Sequence, residues 1–130
     1  MGFEAALQAW KALLKPGGLL AVSDLVWLKK DRPQAAIDFW TAYPDMTTLD
    51  ARRQTVAANG YKLLGDFVLP TSAWTDEYYR PMQANIDLLR KQHAGNAEAE
   101  AVLAASEQEI RIFESSAGSY GYVFFVVRSP

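Results

Sequence analysis

The sequence has no cysteine and a single histidine among its 130 residues. Without cysteine the chain has no disulfide bond, no thiol nucleophile and no thiolate metal ligand. One histidine is also too few for a multi-histidine metal centre. We therefore expect no metal site in this chain.

Long apolar runs are missing as well. The longest ones, residues 19–22 and 120–127, are too short to cross a bilayer. The first ten residues, MGFEAALQAW, lack the basic flank and the apolar block of a signal peptide. These absences predict a cytoplasmic, soluble protein without a membrane partner.

No charge of one sign dominates the sequence. Lys and Arg number 13 and Asp and Glu number 15, for a formal net charge of −2, and the basic residues are scattered along the chain. A nucleic-acid-binding domain usually concentrates its basic residues on one face. Nucleic acid is therefore not the expected main partner.

The chain does contain enough apolar residues for a core, because hydrophobic residues make up 50% of it. This length and composition predict a single globular domain. Apolar spacing, capping residues, prolines and glycines predict helices over residues 3–15, 31–44, 47–60, 74–93 and 96–118. Thr47 and Asp50 form a weak capping box, and Pro81 either kinks one helix or begins a second.

Three strands are predicted, over residues 19–27, 61–70 and 120–128. The first begins with a uniformly apolar run, and the last has no polar face before Arg128. Such strands are typical of a sheet that helices cover on both faces. The middle strand, YKLLGDFVLP, alternates and ends at Pro70, which favours a position near a sheet edge.

The segment LQAWKALLKPGGLLAVSDLVW resembles the region around the fifth strand of class I S-adenosylmethionine-dependent methyltransferases, where a helix, an LKPGG turn and an apolar strand follow one another. NGYKLLGDFVLP and YGYVFFVVRSP are similar to the last two strands of that fold. GFEAALQAWKALLKPGG, FWTAYPDM and SAWTDEYYRPM together resemble a bacterial subgroup of small-molecule methyltransferases related to those of ubiquinone and menaquinone synthesis.

This resemblance covers the whole chain but only the C-terminal half of the family domain. It implies an α/β fold, the C-terminal half of a Rossmann-like methyltransferase sheet, with three strands of which the last is antiparallel and central. Residues 1–130 would form one partial domain, with core helix-strand units over 1–70, a helical insert over 71–119 and the last strand over 120–130. The strand at 19–27 would keep an unpaired edge, through which the isolated chain is expected to self-associate.

The resemblance also implies S-adenosylmethionine as cofactor of the full-length protein and a small-molecule methyl acceptor as substrate. The family binds the cofactor mainly through a glycine-rich turn after the first strand and an acidic residue after the second, and neither is present here. We therefore expect no cofactor-binding residue, weak or absent cofactor binding, and no activity from this chain alone. A non-catalytic α/β interaction module or partner subunit is the alternative function.

Acceptor-binding residues are predicted first near the strand at 19–27. Asp24 and Trp27 lie at or just past its carboxyl end, where open α/β sheets place ligands. A turn cap and a packed aromatic explain the same two residues equally well. Phe3 begins a segment that lines the acceptor pocket in the family, although its spacing also fits the helix core.

The second group of predicted acceptor-binding residues lies in WTDEYYRP. Trp74, Tyr78, Tyr79 and Arg80 combine aromatic faces with hydroxyl and guanidinium donors, although the first two also fit the helix core. The insert that holds them is expected to cover the acceptor, the alternative being that it only seals a sheet face. No catalytic residue is assigned. Tyr43 is expected in the core, the alternative being that it lines the same cavity.

Overall fold

The computed structural model describes residues 2–130. A proline or a glycine lies within two residues of an end of most of its helices and strands. The helices are α1 (Phe3–Lys11), α2 (Gln34–Phe39), α3 (Leu49–Ala58), α4 (Thr71–Trp74), α5 (Arg80–Gln92) and α6 (Ala97–Ser115). A 3-10 turn (Trp40–Ala42) follows α2, and a π-helical segment (Thr75–Tyr79) joins α4 to α5. The strands are β1 (Leu19–Trp27), β2 (Thr47–Thr48), β3 (Lys62–Val68) and β4 (Tyr120–Arg128).

The chain divides into two units. The sheet unit contains residues 2–31, 42–69 and 119–130, and the helical unit contains residues 32–41 and 70–118.

The strands form one four-stranded sheet in the order β2-β1-β4-β3. β4 is antiparallel to both of its neighbours, pairing with β1 from Leu19–Arg128 to Trp27–Tyr120 and with β3 from Lys62–Arg128 to Val68–Val123. A register shift between Leu63 and Gly65 interrupts the second ladder. The prediction that the last strand is antiparallel and central is therefore confirmed.

The edge of β1 differs from the expectation. Thr47 and Thr48 form β2, which the sequence did not predict, and they pair in parallel with Val26 and Trp27. Among residues 2–130, no strand pairs with the remainder of that edge, Leu19–Leu25. The edge is therefore capped at its carboxyl end and open along most of its length.

Two helix ends also differ from the prediction. α1 ends at Lys11, because the next amides, those of Leu13 and Leu14, donate to carbonyls only three residues back in a tightened last turn. Gly17 then takes a φ of +73°, which reverses the chain into β1. At α3 the capping residue is Thr48 rather than Thr47, and its hydroxyl accepts from the Ala51 amide at 3.2 Å.

One face of the sheet forms the hydrophobic core with α1 and α3. Its members are Phe3, Leu7, Val22, Val26, Val56, Tyr61, Val123, Phe125 and Val127. The rings of Phe3 and Phe125 lie 5.4 Å apart, and the Tyr61 hydroxyl donates to the Leu7 carbonyl at 2.8 Å. The alternation of strand side chains thus places every second residue of β1 and β4 beneath the two helices.

The other face is not buried in the same way. Leu19 is 60% exposed and Phe67 is 54% exposed, and Ala21 and Ser23 are exposed as well. Only its far end is closed, where Trp27 packs edge-to-face on Tyr120. The prediction that β1 is covered on both faces is therefore wrong for its first half, where Leu19, Ala21 and Ser23 are exposed.

The helical unit contains a helix that widens ahead of a proline. The Arg80 amide donates to the Thr75 carbonyl five residues back, and Pro81 lies in the first turn of α5. Proline has no amide and its ring clashes with the preceding turn of a regular α-helix, so a wider π-turn accommodates it. Pro81 thus begins α5 within a nearly continuous helix.

α6 packs along α5 through an ion-pair cluster. Arg90 donates to both carboxylate oxygens of Glu107, at 2.7 and 3.0 Å, and to Glu100 at 3.2 Å. Asn96 caps α6 by accepting from the Ala99 amide. Within residues 2–130, the helices are all too short or too polar to cross a membrane.

Candidate functional site

Asp24 lies on the core face of β1, close to its carboxyl end, and is 7% exposed. Its two carboxylate oxygens accept hydrogen bonds from Arg52 Nε and from the Tyr43 hydroxyl, the latter at 2.8 Å. We call Asp24, Tyr43, Asp45 and Arg52 the Asp24 cluster. Because a buried charge is costly without a partner, the ion pair with Arg52 explains how a carboxylate is held inside the sheet unit.

Arg52, on α3, links Asp24 to two further segments, the loop at Asp45 and the start of α1. A terminal nitrogen donates to the Asp45 carbonyl at 2.6 Å and to the Asp45 carboxylate at 3.0 Å, and the guanidinium lies 5.0 Å from the centre of the Phe3 ring. The Phe3 amide also donates to the Asp45 carboxylate, at 3.2 Å. Burial lowers the pKa of Arg52, but the two carboxylates raise it more, so its net shift is upward.

Tyr43 remains a hydrogen-bond donor throughout the physiological pH range. Burial, and then the hydrogen bond and the charge of Asp24, raise its pKa to about 12. With Tyr43 protonated and Arg52 charged, each carboxylate oxygen of Asp24 accepts a hydrogen bond. This geometry favours a structural role for Asp24, and its acceptor-binding role stays a prediction.

The other predicted residues of the sheet unit are also buried. Trp27 is 8% exposed against Tyr120, with ring centroids 6.0 Å apart, and Phe3 is 4% exposed in the core. Asp24 and Phe3 meet through Arg52, whereas Trp27 lies at the end of β1 on the opposite face of the sheet.

The four predicted residues of the helical unit lie around the π-helical segment. Trp74 and Tyr79 are buried and stack on each other. Phe113 stacks on Trp74 and meets the Tyr79 ring at a tilt, and the Tyr79 hydroxyl donates to Glu109 at 3.1 Å. Tyr78 is half exposed. Arg80 is more exposed still and pairs with Asp76 at 3.0 Å.

A cavity of about 270 Å³ opens beside this segment. Its walls are Thr75, Tyr79, Arg80, Gln83, Ile110, Phe113 and Glu114. Ile110, Phe113 and the Tyr79 ring provide apolar surface, while Arg80 and Glu114 place opposite charges on the lining. Of the predicted residues, Tyr79 and Arg80 line this cavity, and such a mixture of apolar and few polar groups suits a small organic molecule.

The sequence prediction missed Arg52 and Asp45. A signal for Arg52 was present, because Leu49, Arg52 and Val56 follow the three- and four-residue spacing of a buried helix stripe. An arginine in such a stripe indicates a buried acidic partner. Asp45 carries no such local signal, since its role depends on where Phe3 and Arg52 meet it in space.

No family model and no curated protein matches the sequence. Solved structures do match its fold. The E. coli protein YjhP superposes with a TM-score of 0.80 at 17% identity over 99% of this chain and 54% of its own. A Geobacter sulfurreducens SAM-dependent methyltransferase in complex with S-adenosyl-L-homocysteine gives 0.80 at 16% identity, over 99% and 53%. A Thiobacillus denitrificans SAM-dependent methyltransferase, also in complex with S-adenosyl-L-homocysteine, gives 0.74 at 19% identity, over 100% and 53%.

This chain therefore has the class I, Rossmann-like fold of SAM-dependent methyltransferases over about half of their length. The folds agree although the sequence identity to each of these structures is below 20%. The three long strands and the antiparallel last strand of the sequence prediction lie within the 99% of this chain that superposes.

The residues of this chain do not fit the cofactor. A cofactor cradle needs a glycine turn between the end of a strand and the start of a helix. In residues 2–130 the glycines with positive φ, Gly17, Gly60, Gly95 and Gly118, each follow a helix instead. The acidic group near the carboxyl end of β1, Asp24, is already paired with Arg52. Residues 2–130 also contain no cluster of side chains able to hold a metal ion.

Replacing Asp24 by alanine should destabilise the chain by about 3–5 kcal/mol, because Arg52 loses its buried partner. Arg80→Ala, which removes the exposed pair with Asp76, should cost less than about 1 kcal/mol. Urea unfolding followed by tryptophan fluorescence compares the two. The paired change Asp24→Leu with Arg52→Met should recover most of the loss, and equal costs for the two alanine variants would contradict the account.

Titration of this chain with S-adenosylmethionine should show weak or no binding, because the glycine turn of the cofactor site is missing. Isothermal calorimetry is the direct measurement, with S-adenosyl-L-homocysteine as the second ligand. A dissociation constant in the low micromolar range for either ligand would show that the chain builds a cofactor site by another route.

Proposed function

We propose that this chain is the C-terminal half of a cytoplasmic S-adenosylmethionine-dependent methyltransferase that acts on a small-molecule acceptor. The observation that supports this most is the fold match, with a TM-score of 0.80 to a methyltransferase in complex with S-adenosyl-L-homocysteine over 53% of that chain. The sequence resemblance to the ubiquinone- and menaquinone-related subgroup supports the choice of a small acceptor.

In this proposal the two units have different tasks. The sheet unit supplies part of the floor and of the acceptor wall, through Phe3, Asp24 and Trp27. The helical unit is the lid, and Trp74, Tyr78, Tyr79 and Arg80 recognise the acceptor. The cavity beside the π-helical segment supports this assignment, because two of those four residues line it and π-turns are frequent at functional sites.

The contacts of the cavity define what its residues would do to an acceptor. Tyr79 and Phe113 offer ring surface against which an apolar or planar molecule packs. Arg80 and Glu114 lie on the same lining and would orient a polar group by its charge. Binding and orientation are the work proposed for this chain, since alignment alone supplies a large part of the rate in a bimolecular transfer.

The alternative function, a non-catalytic partner subunit, is favoured by one observation. Apolar side chains of β1 and β3 are exposed to solvent, which is typical of a surface that binds another polypeptide. The two functions are distinguished by the rest of the polypeptide to which these residues belong. A strand that ends in a Gly-x-Gly turn, somewhat over a hundred residues ahead of α1, would support the enzyme.

In the enzyme that carries the complete sheet, Tyr79→Phe should raise the acceptor KM about five- to tenfold, as expected for the loss of one hydrogen bond of about 1 kcal/mol. Cofactor affinity should not change. Tyr122→Phe, at an exposed tyrosine of β4, is the matched control. A Tyr79→Phe enzyme with weaker cofactor binding and an unchanged acceptor KM would discredit the lid assignment.

We also propose that the isolated chain self-associates through the edge of β1, by edge pairing or by swapping. An unpaired strand edge presents free backbone donors and acceptors to a second chain. Light scattering at high concentration should show species larger than the monomer. Leu19→Lys should reduce them, whereas Leu13→Lys, at a more exposed leucine outside the sheet, should not. A clean monomer of the unmodified chain would refute the proposal.

A further inference from the structure

The cavity beside the π-helical segment carries charges of opposite sign that do not pair with each other. The Arg80 guanidinium forms its ion pair with Asp76, at 3.0 Å, and not with Glu114. The Glu114 carboxylate, in the last turn of α6, forms no ion pair or hydrogen bond within residues 2–130. Two such charges on one lining are the electrostatic complement of a ligand that itself carries both signs of charge.

The position of Glu114 in its helix favours a cationic partner. The carboxyl end of a helix carries a partial negative charge, so a carboxylate in the last turn is placed unfavourably against the helix dipole. The last turn of α6 contains no basic residue that would offset this. An ammonium group bound at Glu114 would therefore neutralise the carboxylate and interact favourably with the helix end at the same time.

Arg80 is suited to the opposite end of such a ligand. One of its terminal nitrogens lies 3.0 Å from an Asp76 carboxylate oxygen, and 76% of its side chain is exposed. A guanidinium has several N–H donors in a planar fork that matches the two oxygens of a carboxylate. Since a single nitrogen of Arg80 reaches Asp76, the other donors can bind a carboxylate in the cavity.

Apolar and aromatic surface makes up the remaining part of the lining that matters for recognition. Ile110 and the rings of Tyr79 and Phe113 provide it, with the two ring centroids 5.0 Å apart. The Tyr79 hydroxyl donates to Glu109, so its oxygen can still accept from an ammonium group. The volume, about 270 Å³, lies just below the range of drug-sized pockets, roughly 300–1,000 Å³. This size suits a small metabolite and excludes a nucleotide.

We propose that this cavity binds a free amino acid with an aromatic or large apolar side chain. The ammonium group of the amino acid lies at Glu114, its carboxylate at Arg80, and its side chain against Tyr79 and Phe113. Every residue of the lining belongs to the helical unit, so the cavity needs no residue of the sheet unit. Only the further step, that this amino acid is the methyl acceptor, rests on the proposed function.

NMR titration of the chain with a matched set of ligands tests the site. L-Phenylalanine carries both charges, phenethylamine only the ammonium group, hydrocinnamate only the carboxylate, and hydrocinnamyl alcohol neither. Phenylalanine should bind about fivefold more tightly than either singly charged ligand, as expected for one exposed charge pair. The amide shifts should centre on Tyr79 and Phe113. Equal affinities across the set, or tightest binding of a singly charged ligand, would overturn the proposal.

Two charge-removing variants assign each end of the ligand. Arg80→Gln should abolish the advantage of phenylalanine over phenethylamine, and Glu114→Gln should abolish its advantage over hydrocinnamate. Both side chains are exposed, so the far-UV circular dichroism spectrum should not change. Lys91→Gln on α5 and Glu98→Gln on α6, at exposed residues outside the lining, are the matched controls. Advantages that survive in the cavity variants, or that vanish equally in the controls, would overturn the proposal.

Product analysis with the enzyme that carries the complete sheet separates the site from the proposed function. Mass spectrometry should detect a methylated amino acid when that enzyme is supplied with phenylalanine and S-adenosylmethionine. If the chain binds phenylalanine and the enzyme methylates no small molecule, the proposed function is refuted and the amino acid site stands. If the enzyme methylates another small acceptor and the chain does not bind phenylalanine, the site is refuted and the proposed function stands.

Discussion

The pairing of β4 with two strands at once is the constraint on which the sheet unit depends. β1 and β3 do not pair with each other, and each reaches the sheet through the last strand of the chain. Val123, Phe125 and Val127 of β4 have no exposed surface and carry the core beneath α1 and α3. Most of the helical unit, residues 70–118, lies between β3 and β4 in sequence, so the last strand follows it along the chain.

Hydrogen bonds and ion pairs fix the carboxyl end of β1, where open α/β folds place ligands. The Asp24 cluster ties the start of α1, the strand end, the loop at Asp45 and α3 into one network of hydrogen bonds and ion pairs. Its groups satisfy one another's hydrogen-bonding capacity, which holds these segments together. The cavity at Tyr79 lies in the other unit and has apolar and charged groups directed into open space.

Local signals predicted most of this architecture. The LKPGG turn and the apolar strands are set by neighbours in sequence, and the central antiparallel β4 followed from the family pattern. β2 was missed because two threonines have no signal of their own and become a strand only beside Val26 and Trp27. The burial of Arg52 depended on a partner 28 positions away. Coverage of β1 was overestimated, because its composition suits a larger sheet than residues 2–130 form.

Hydrogen exchange of the backbone amides, followed by NMR at concentrations where the chain is monomeric, tests most directly whether this sheet is built to be larger. The account predicts that amides of β4 from Val123 to Val127 are uniformly protected, because strands flank both sides. Over Leu19–Leu25 of β1, protected and rapidly exchanging amides should alternate, since every second one points to the free edge. Uniform protection along β1 would contradict an open edge and with it the half-sheet on which the account rests.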